Sequence, residues 1–234
     1  YDRARSFSEI ASGIVSGVLS DVTYPILTSL NEERERMVSV YRRLLGMTTF
    51  IIIPIMTMLA LLAEPLVRLV LTEKWLTVVP LLQWLCFSKV FYPLTGINMN
   101  IINAIGRSDI YLKINLVKLF FASLALVITV NLGIRAIVIG QVVNTIIAFF
   151  INAYIPGKYF GYGALSQIKD MRRILFSTIV MAVIVFAVTN LTESTILKLM
   201  LGFIVGIISY LSVNRLIKTK EFDEIKTLVL SIKG

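Results

Sequence analysis

The chain of 234 residues has no histidine, a single cysteine and only 14 acidic residues. Without histidine, this segment holds no histidine-ligated zinc, no Ser-His-Asp triad and no histidine proton relay. The sequence calls for no metal and no cofactor. A lone cysteine, Cys86, forms no disulfide framework, and it lies inside an apolar run where it reports nothing about redox compartment. Charge is scarce as well, at 16% of residues, where a soluble chain usually carries about 25%. What fills the space is hydrocarbon: 57% of residues are apolar and the mean hydropathy is +0.84. The net charge of +9 is compatible with nucleic acid or anionic lipid as a partner. The basic residues sit between apolar spans, which argues for membrane topology and against nucleic acid. The sequence begins at Tyr1, without a signal-peptide pattern, and is expected to be a piece of a longer protein.

Apolar runs near the roughly 20 residues that a bilayer requires recur along the whole length. They predict seven transmembrane helices at 10–30, 44–63, 78–104, 111–131, 134–155, 174–190 and 196–213, an all-α polytopic bundle. Fifteen Lys and Arg fall in alternate segments on one side (31–43, 106–113, 156–173 and the tail), and six fall on the other. The positive-inside rule therefore predicts a cytoplasmic C-terminus. The outer loops are too short for a catalytic domain. Segment 31–43 mixes Glu and Arg at helical spacing, Glu32 with Arg36 for example, and predicts a helical extension. The tail 218–234 alternates charge with Phe222, Ile225, Leu228 and Val229 and predicts an amphipathic interfacial helix.

Polar residues inside the spans are the functional signal. Lys89 lies near the middle of the third span, about 16 Å of helix from its nearer end, too deep for easy snorkelling. A cation at that depth needs a wet cavity or a partner. Lys89, Pro93, Gly96, Asn100 and Asn103 step by three and four and share one face; Asn98 falls on the opposite side. Asn115 and Lys118 lie on one face of the fourth span with Ala122, Ala125 and Thr129. Gln141 and Asn144 lie on one face of the fifth with Ala148 and Asn152. In the first, Gly13, Gly17 and Asp21 step by four, and Asp21 is the only acid well inside a predicted span. The sixth and seventh spans offer mainly Gly202 and Gly206. These patterns predict that residues 1–155 line a polar space and that 156–217 form two peripheral spans. The competing reading is structural: amides and small residues also join helices, at roughly 0.6 kcal/mol per interhelical hydrogen bond. That reading is the stronger one for the GxxxG pattern, and for the amides taken singly.

Several stretches are similar to one family. They are Tyr1-Asp2-Arg3-Ala4-Arg5-Ser6, Gly17-Val18-Leu19-Ser20-Asp21, Tyr41-Arg42-Arg43, Thr72-Glu73-Lys74-Trp75, Tyr92-Pro93, Gly106-Arg107-Ser108-Asp109 and Asn115-Leu116-Val117-Lys118. In order and spacing they resemble the C-terminal half of bacterial polysaccharide flippases, of the multidrug/oligosaccharidyl-lipid/polysaccharide exporter superfamily. The likeness runs over residues 1–118 and continues as a hydrophobic pattern. It implies one lobe of a two-lobe transporter of the bacterial inner membrane, followed by two extra helices. The partners implied are an undecaprenyl-pyrophosphate-linked oligosaccharide for O-antigen or exopolysaccharide assembly, the surrounding membrane lipid, a coupling proton or sodium, and the N-terminal lobe of the same chain. In that setting Lys89 and Lys118 are expected to meet phosphate. Asn98, Asn100, Asn103, Asn115, Gln141 and Asn144 are expected to meet sugar hydroxyls, and Asp21 to couple the ion. A multidrug or other lipid exporter of the same superfamily is the main alternative, and a membrane enzyme of polysaccharide assembly the lesser one. A retinal protein is disfavoured because Lys198 lies at the outer end of the last span.

Overall fold

The computed structural model of the chain describes residues 5, 6, 8, 9, 12, 13, 23–30 and 33–232. Residues 23–29 are helical. Eight longer helices follow: α1 (Arg34–Leu61), α2 (Ala63–Leu71), α3 (Val79–Ala104), α4 (Ser108–Thr129), α5 (Ile134–Phe160), α6 (Ala164–Asn190), α7 (Thr195–Leu216) and α8 (Lys220–Ile232). Among the described residues there is no strand. Six helical stretches are long and apolar enough to cross a membrane: α1, α4 with the short turn after it, α5, α6, α7, and α3 with the 3-10 turn Glu73–Val78 before it. The chain is a multi-pass membrane protein. Five of these six match predicted spans closely in extent or by extension. The first predicted span, 10–30, lies largely outside the described residues.

Long helices are the expected solution here. A backbone in hydrocarbon has no water to bond, so each segment satisfies its own N–H and C=O groups. Hydroxyls follow the same rule. Thr48, Thr49, Thr145 and Thr178 each donate to the carbonyl four residues back, at 2.7 to 3.0 Å. Thr48 and Thr49, the polar residues of the second predicted span, are buried and bonded within α1.

Two boundaries differ from the hydropathy reading. α1 begins at Arg34, ten residues before the apolar run, as the charge spacing of 31–43 predicted. Glu32 lies outside the described residues, and Arg36 pairs with Glu33 at 3.2 Å. α6 begins at Ala164, also ten residues before its apolar run. Its first turns are amphipathic. Gln167, Met171 and Ile174 are buried, whereas Lys169, Asp170, Arg172 and Arg173 face out, and a hydropathy window averages these away. The α5–α6 turn is short because Gly161 takes the left-handed conformation (φ 68°) and its N–H bonds the Gly157 carbonyl at 3.0 Å.

α1 is the hub of the bundle. It packs against α3 on one side and α6 on the other. α5 lies against α3, α4 against α5, and α7 against α6. Two apolar clusters fill the bundle. One joins the N-terminal part of α1 (Met37, Tyr41, Leu45) to the C-terminal part of α3 (Leu94, Ile97, Ile101, Ile102), with Phe149 and Met171. The other joins Ile52, Met56 and Met58 to Leu82, Leu85 and the middle of α6 (Met181, Val185). Outside these clusters the surface is apolar. Leu112, Leu119, Phe120, Val127 and Leu132 of α4 and its turn are each more than half exposed, and such a surface is stable only against lipid or another apolar body.

Candidate functional site

Lys89 occupies the third turn of α3, ten residues in from Val79. Its side chain is only 12% exposed, and its ammonium is not alone. Nζ lies 3.3 Å from Glu9 Oε1 and 5.3 Å from the centre of the Tyr92 ring. Glu9 is also held by Arg5, with Nε–Oε1 at 2.8 Å. So the deep cation is one member of an Arg5–Glu9–Lys89 chain that ties the N-terminal segment to α3. At the same level Ser88 and Thr145 join α3 to α5 through their hydroxyls, 3.0 Å apart.

The other residues that the sequence marks divide by environment. Asn98, which fell on the far side of α3, is fully buried. Its Oδ1 accepts from the Tyr41 hydroxyl and from Gln167 Nε2 (3.1 Å), and its Nδ2 donates to Gln167 Oε1 at 3.3 Å. Gln167 Nε2 also donates to the Tyr41 oxygen at 3.1 Å. This closed network joins α1, α3 and α6 and leaves the Asn98 amide fully engaged. By contrast Asn100, Asn103, Asn115, Lys118, Gln141 and Asn144 are half-buried. Among the described residues, no hydrogen bond engages the side chains of Asn100, Asn103, Asn115, Lys118 or Asn144. Asp21 and Gly17 lie outside the described residues. Asn152 is fully buried with neither amide atom bonded.

Sequence reasoning missed three participants. Glu9 and Arg5 are four apart, a spacing that signals a helical pair, but they precede the apolar run and were read as outside it. Tyr41 and Gln167 lie in stretches too charged to attract attention as buried positions. No cluster of three acids or cysteines able to hold a metal occurs among the described residues.

The peripheral helices pack through small residues, as expected. A methyl group at Gly202 would come within 2.6 Å of Leu62 Cδ2, and one at Gly206 would collide with the Met58 sulfur. Glu64 and Arg68 form the anticipated local pair at 3.0 Å, and Arg68 reaches Glu73 as well, at 2.7 Å.

Residues 1–80 match the sequence pattern of a family described as polysaccharide biosynthesis protein. An uncharacterized membrane protein in the cps region of Klebsiella pneumoniae is 26% identical over 141 residues, 58% of this chain and 29% of that protein. The lipopolysaccharide biosynthesis protein WzxC of Escherichia coli K12 is 25% identical over 156 residues, 64% of this chain and 32% of WzxC. The chain is related to polysaccharide-biosynthesis membrane proteins. Its fold agrees: the structure of the lipid II flippase MurJ in an inward closed conformation superposes with a TM-score of 0.73 over 92% of this chain, at 16% identity. The chain spans about a third of the length of the sequence relatives that it matches, and 47% of the MurJ chain. The half-buried amides of α3, α4 and α5 lie beyond the residues that the family pattern covers.

Proposed function

We propose that the chain is the C-terminal part of a transporter that flips undecaprenyl-pyrophosphate-linked oligosaccharide units across the bacterial inner membrane for surface polysaccharide assembly. The observation that carries this reading is Lys89. It is a cation at mid-depth, held beside an acid, on a helix face whose amides have unused hydrogen-bonding capacity. A polar sugar and an anionic pyrophosphate cross hydrocarbon only if such groups replace their hydration. In this reading phosphate exchanges with the Glu9 carboxylate on Lys89. Lys118 supplies a second cation, and Asn100, Asn103, Asn115, Gln141 and Asn144 meet sugar hydroxyls. Asn98, already engaged by Tyr41 and Gln167, joins helices and does not meet sugar. Asp21 remains the proposed site of proton or sodium coupling. Residues 1–155 belong to a transport lobe facing an N-terminal lobe, 156–217 brace it, and the tail lies at the cytoplasmic surface. The names of WzxC and MurJ, and the family description, support transport of a lipid-linked sugar rather than catalysis, and favour it over drug export.

The test uses the full-length protein in cells. Lys89→Ala is expected to leave the protein folded in the membrane, to accumulate lipid-linked oligosaccharide on the cytoplasmic side and to abolish surface polysaccharide. Lys89→Arg is expected to retain most of the activity. Normal surface polysaccharide with Lys89→Ala removes the cavity role.

A further inference from the structure

A second polar space lies away from Lys89, at the end of the bundle where the basic segments gather. α1, α6 and α8 frame a cavity of about 730 Å³. Six cations line it: Arg42, Arg43, Lys169, Arg172, Arg173 and Lys220. Two of them are neutralised in place. Arg42 pairs with Asp170 at 2.9 Å and stacks over the Tyr162 ring at 4.6 Å, and the Tyr162 hydroxyl donates to the same Asp170 oxygen. Arg43 pairs with Glu224 at 3.0 Å, fixing α8 against α1.

The other four cations have no carboxylate within ion-pair distance among the described residues. Arg173 reaches only the Lys218 carbonyl, at 3.5 Å. The remaining acids of the wall, Glu35 and Glu221, offset half of that charge and leave a surplus of two positive charges. An anion of phosphate type fits such a surplus, in a space large enough for a headgroup.

The surroundings say which anion. One helical face of α6 runs from Arg172 through Phe176, Ile179, Val183 and Phe186 at steps of three and four. Those four apolar side chains are each 54–63% exposed. A cationic pocket continuous with an exposed apolar stripe is matched to a molecule with a charged head and a hydrocarbon tail, and a soluble phosphate has no use for the stripe. The cytoplasmic leaflet supplies such molecules.

We propose that this cavity is a site for the phosphate headgroup of an anionic glycerophospholipid of the cytoplasmic leaflet, with an acyl chain laid along the α6 stripe. Bound there, the lipid bridges α6 and α8 and holds the tail helix on the membrane surface. The leaflet rests on the orientation proposed above, but the binding measurement does not, so the two ideas fail separately.

The full-length protein in detergent is titrated with phosphatidylglycerol, phosphatidylcholine of matched chains, and inorganic phosphate, and bound lipid is counted by native mass spectrometry. Phosphatidylglycerol is expected to bind in preference to phosphatidylcholine. Arg172→Gln with Arg173→Gln is expected to weaken it on the order of tenfold. Lys113→Gln with Lys158→Gln, outside the cavity, is expected to change nothing. Equal phosphatidylglycerol binding by the cavity variant and the wild type overturns the proposal. Displacement of the lipid by millimolar inorganic phosphate also overturns it, in favour of a soluble-anion site. If the Arg172/Arg173 variant does not fold, Lys169→Gln with Lys220→Gln, both at exposed positions, asks the same question.

Discussion

Asn98 separates a residue that holds helices together from one that touches cargo. Three side-chain hydrogen bonds end on its amide, from Tyr41, from Gln167 and back to Gln167, in a fully buried setting. Asn98→Leu keeps the volume and removes all three. At the membrane average of roughly 0.6 kcal/mol per interhelical bond, the loss is about 2 kcal/mol. Counted instead as a Tyr41 hydroxyl and a Gln167 amide left unsatisfied, at about 1–3 kcal/mol each, it is about 2–6 kcal/mol. Both routes put the cost at about 2 kcal/mol or more, a fall in thermal midpoint of about 4 °C or more on the scale of a domain of this size. Asn100→Leu and Asn103→Leu remove amides without partners and are expected to shift stability by less than about 0.5 kcal/mol, as surface changes do. The assay is thermal unfolding of the full-length protein in detergent, beside surface polysaccharide in cells. A second check is coupling: Tyr41→Phe should cost much less in the Asn98→Leu background than in the wild type. An Asn98→Leu protein as stable as the wild type yet defective in transport would refute this reasoning and restore Asn98 as a cargo contact.

Gly206→Val forces a branched side chain into the Met58 and Val185 contacts and is expected to destabilise by about 1–3 kcal/mol, whereas Gly133→Ala, in open space but at φ 87°, tests backbone strain alone. Both are read from the thermal midpoint; a neutral Gly206→Val removes the close α1–α7 contact. Asn152→Leu removes a buried amide with no partner and is expected to stabilise by about 1 kcal/mol or more; a loss of stability would mean that Asn152 has a partner. Leu191→Cys and Leu165→Cys, both at highly exposed turn positions and made in a Cys86→Ser background, report topology. An impermeant maleimide added to intact cells is expected to label the first and not the second, and the reverse pattern inverts the proposed orientation.

What was legible in the sequence follows one physical rule. A span must be apolar for about 20 residues whatever its neighbours do, so α3, α4, α5 and α7 can be read within a few residues. Charge spacing extended α1 to Arg34 but did not extend α6 to Ala164, because its first turns bury Gln167 and Met171 through partners on α1 and α3 that no local window contains. The site divided in the same way. Helical periodicity put Lys89, Asn100 and Asn103 on one face and set Asn98 apart, and the structure gives Asn98 a different, closed environment. The acid beside Lys89 was not legible, since Glu9 lies 80 positions away and only tertiary packing joins them.

That pairing bears on how a deep cation serves an anionic cargo. Lys89 alone in hydrocarbon would be costly to keep charged. With Glu9 at 3.3 Å and Arg5 behind it, the group carries one net positive charge spread over three side chains. An anion that binds Lys89 must displace a carboxylate which is still held by Arg5. The exchange therefore trades one ion pair for another and leaves no charge bare at either stage. Such a site binds pyrophosphate weakly enough to let it go, and a transporter needs release as much as capture. The expected signature is asymmetric. Glu9→Gln frees Lys89 and should tighten binding of the lipid-linked cargo while slowing turnover, whereas Lys89→Ala should lose both.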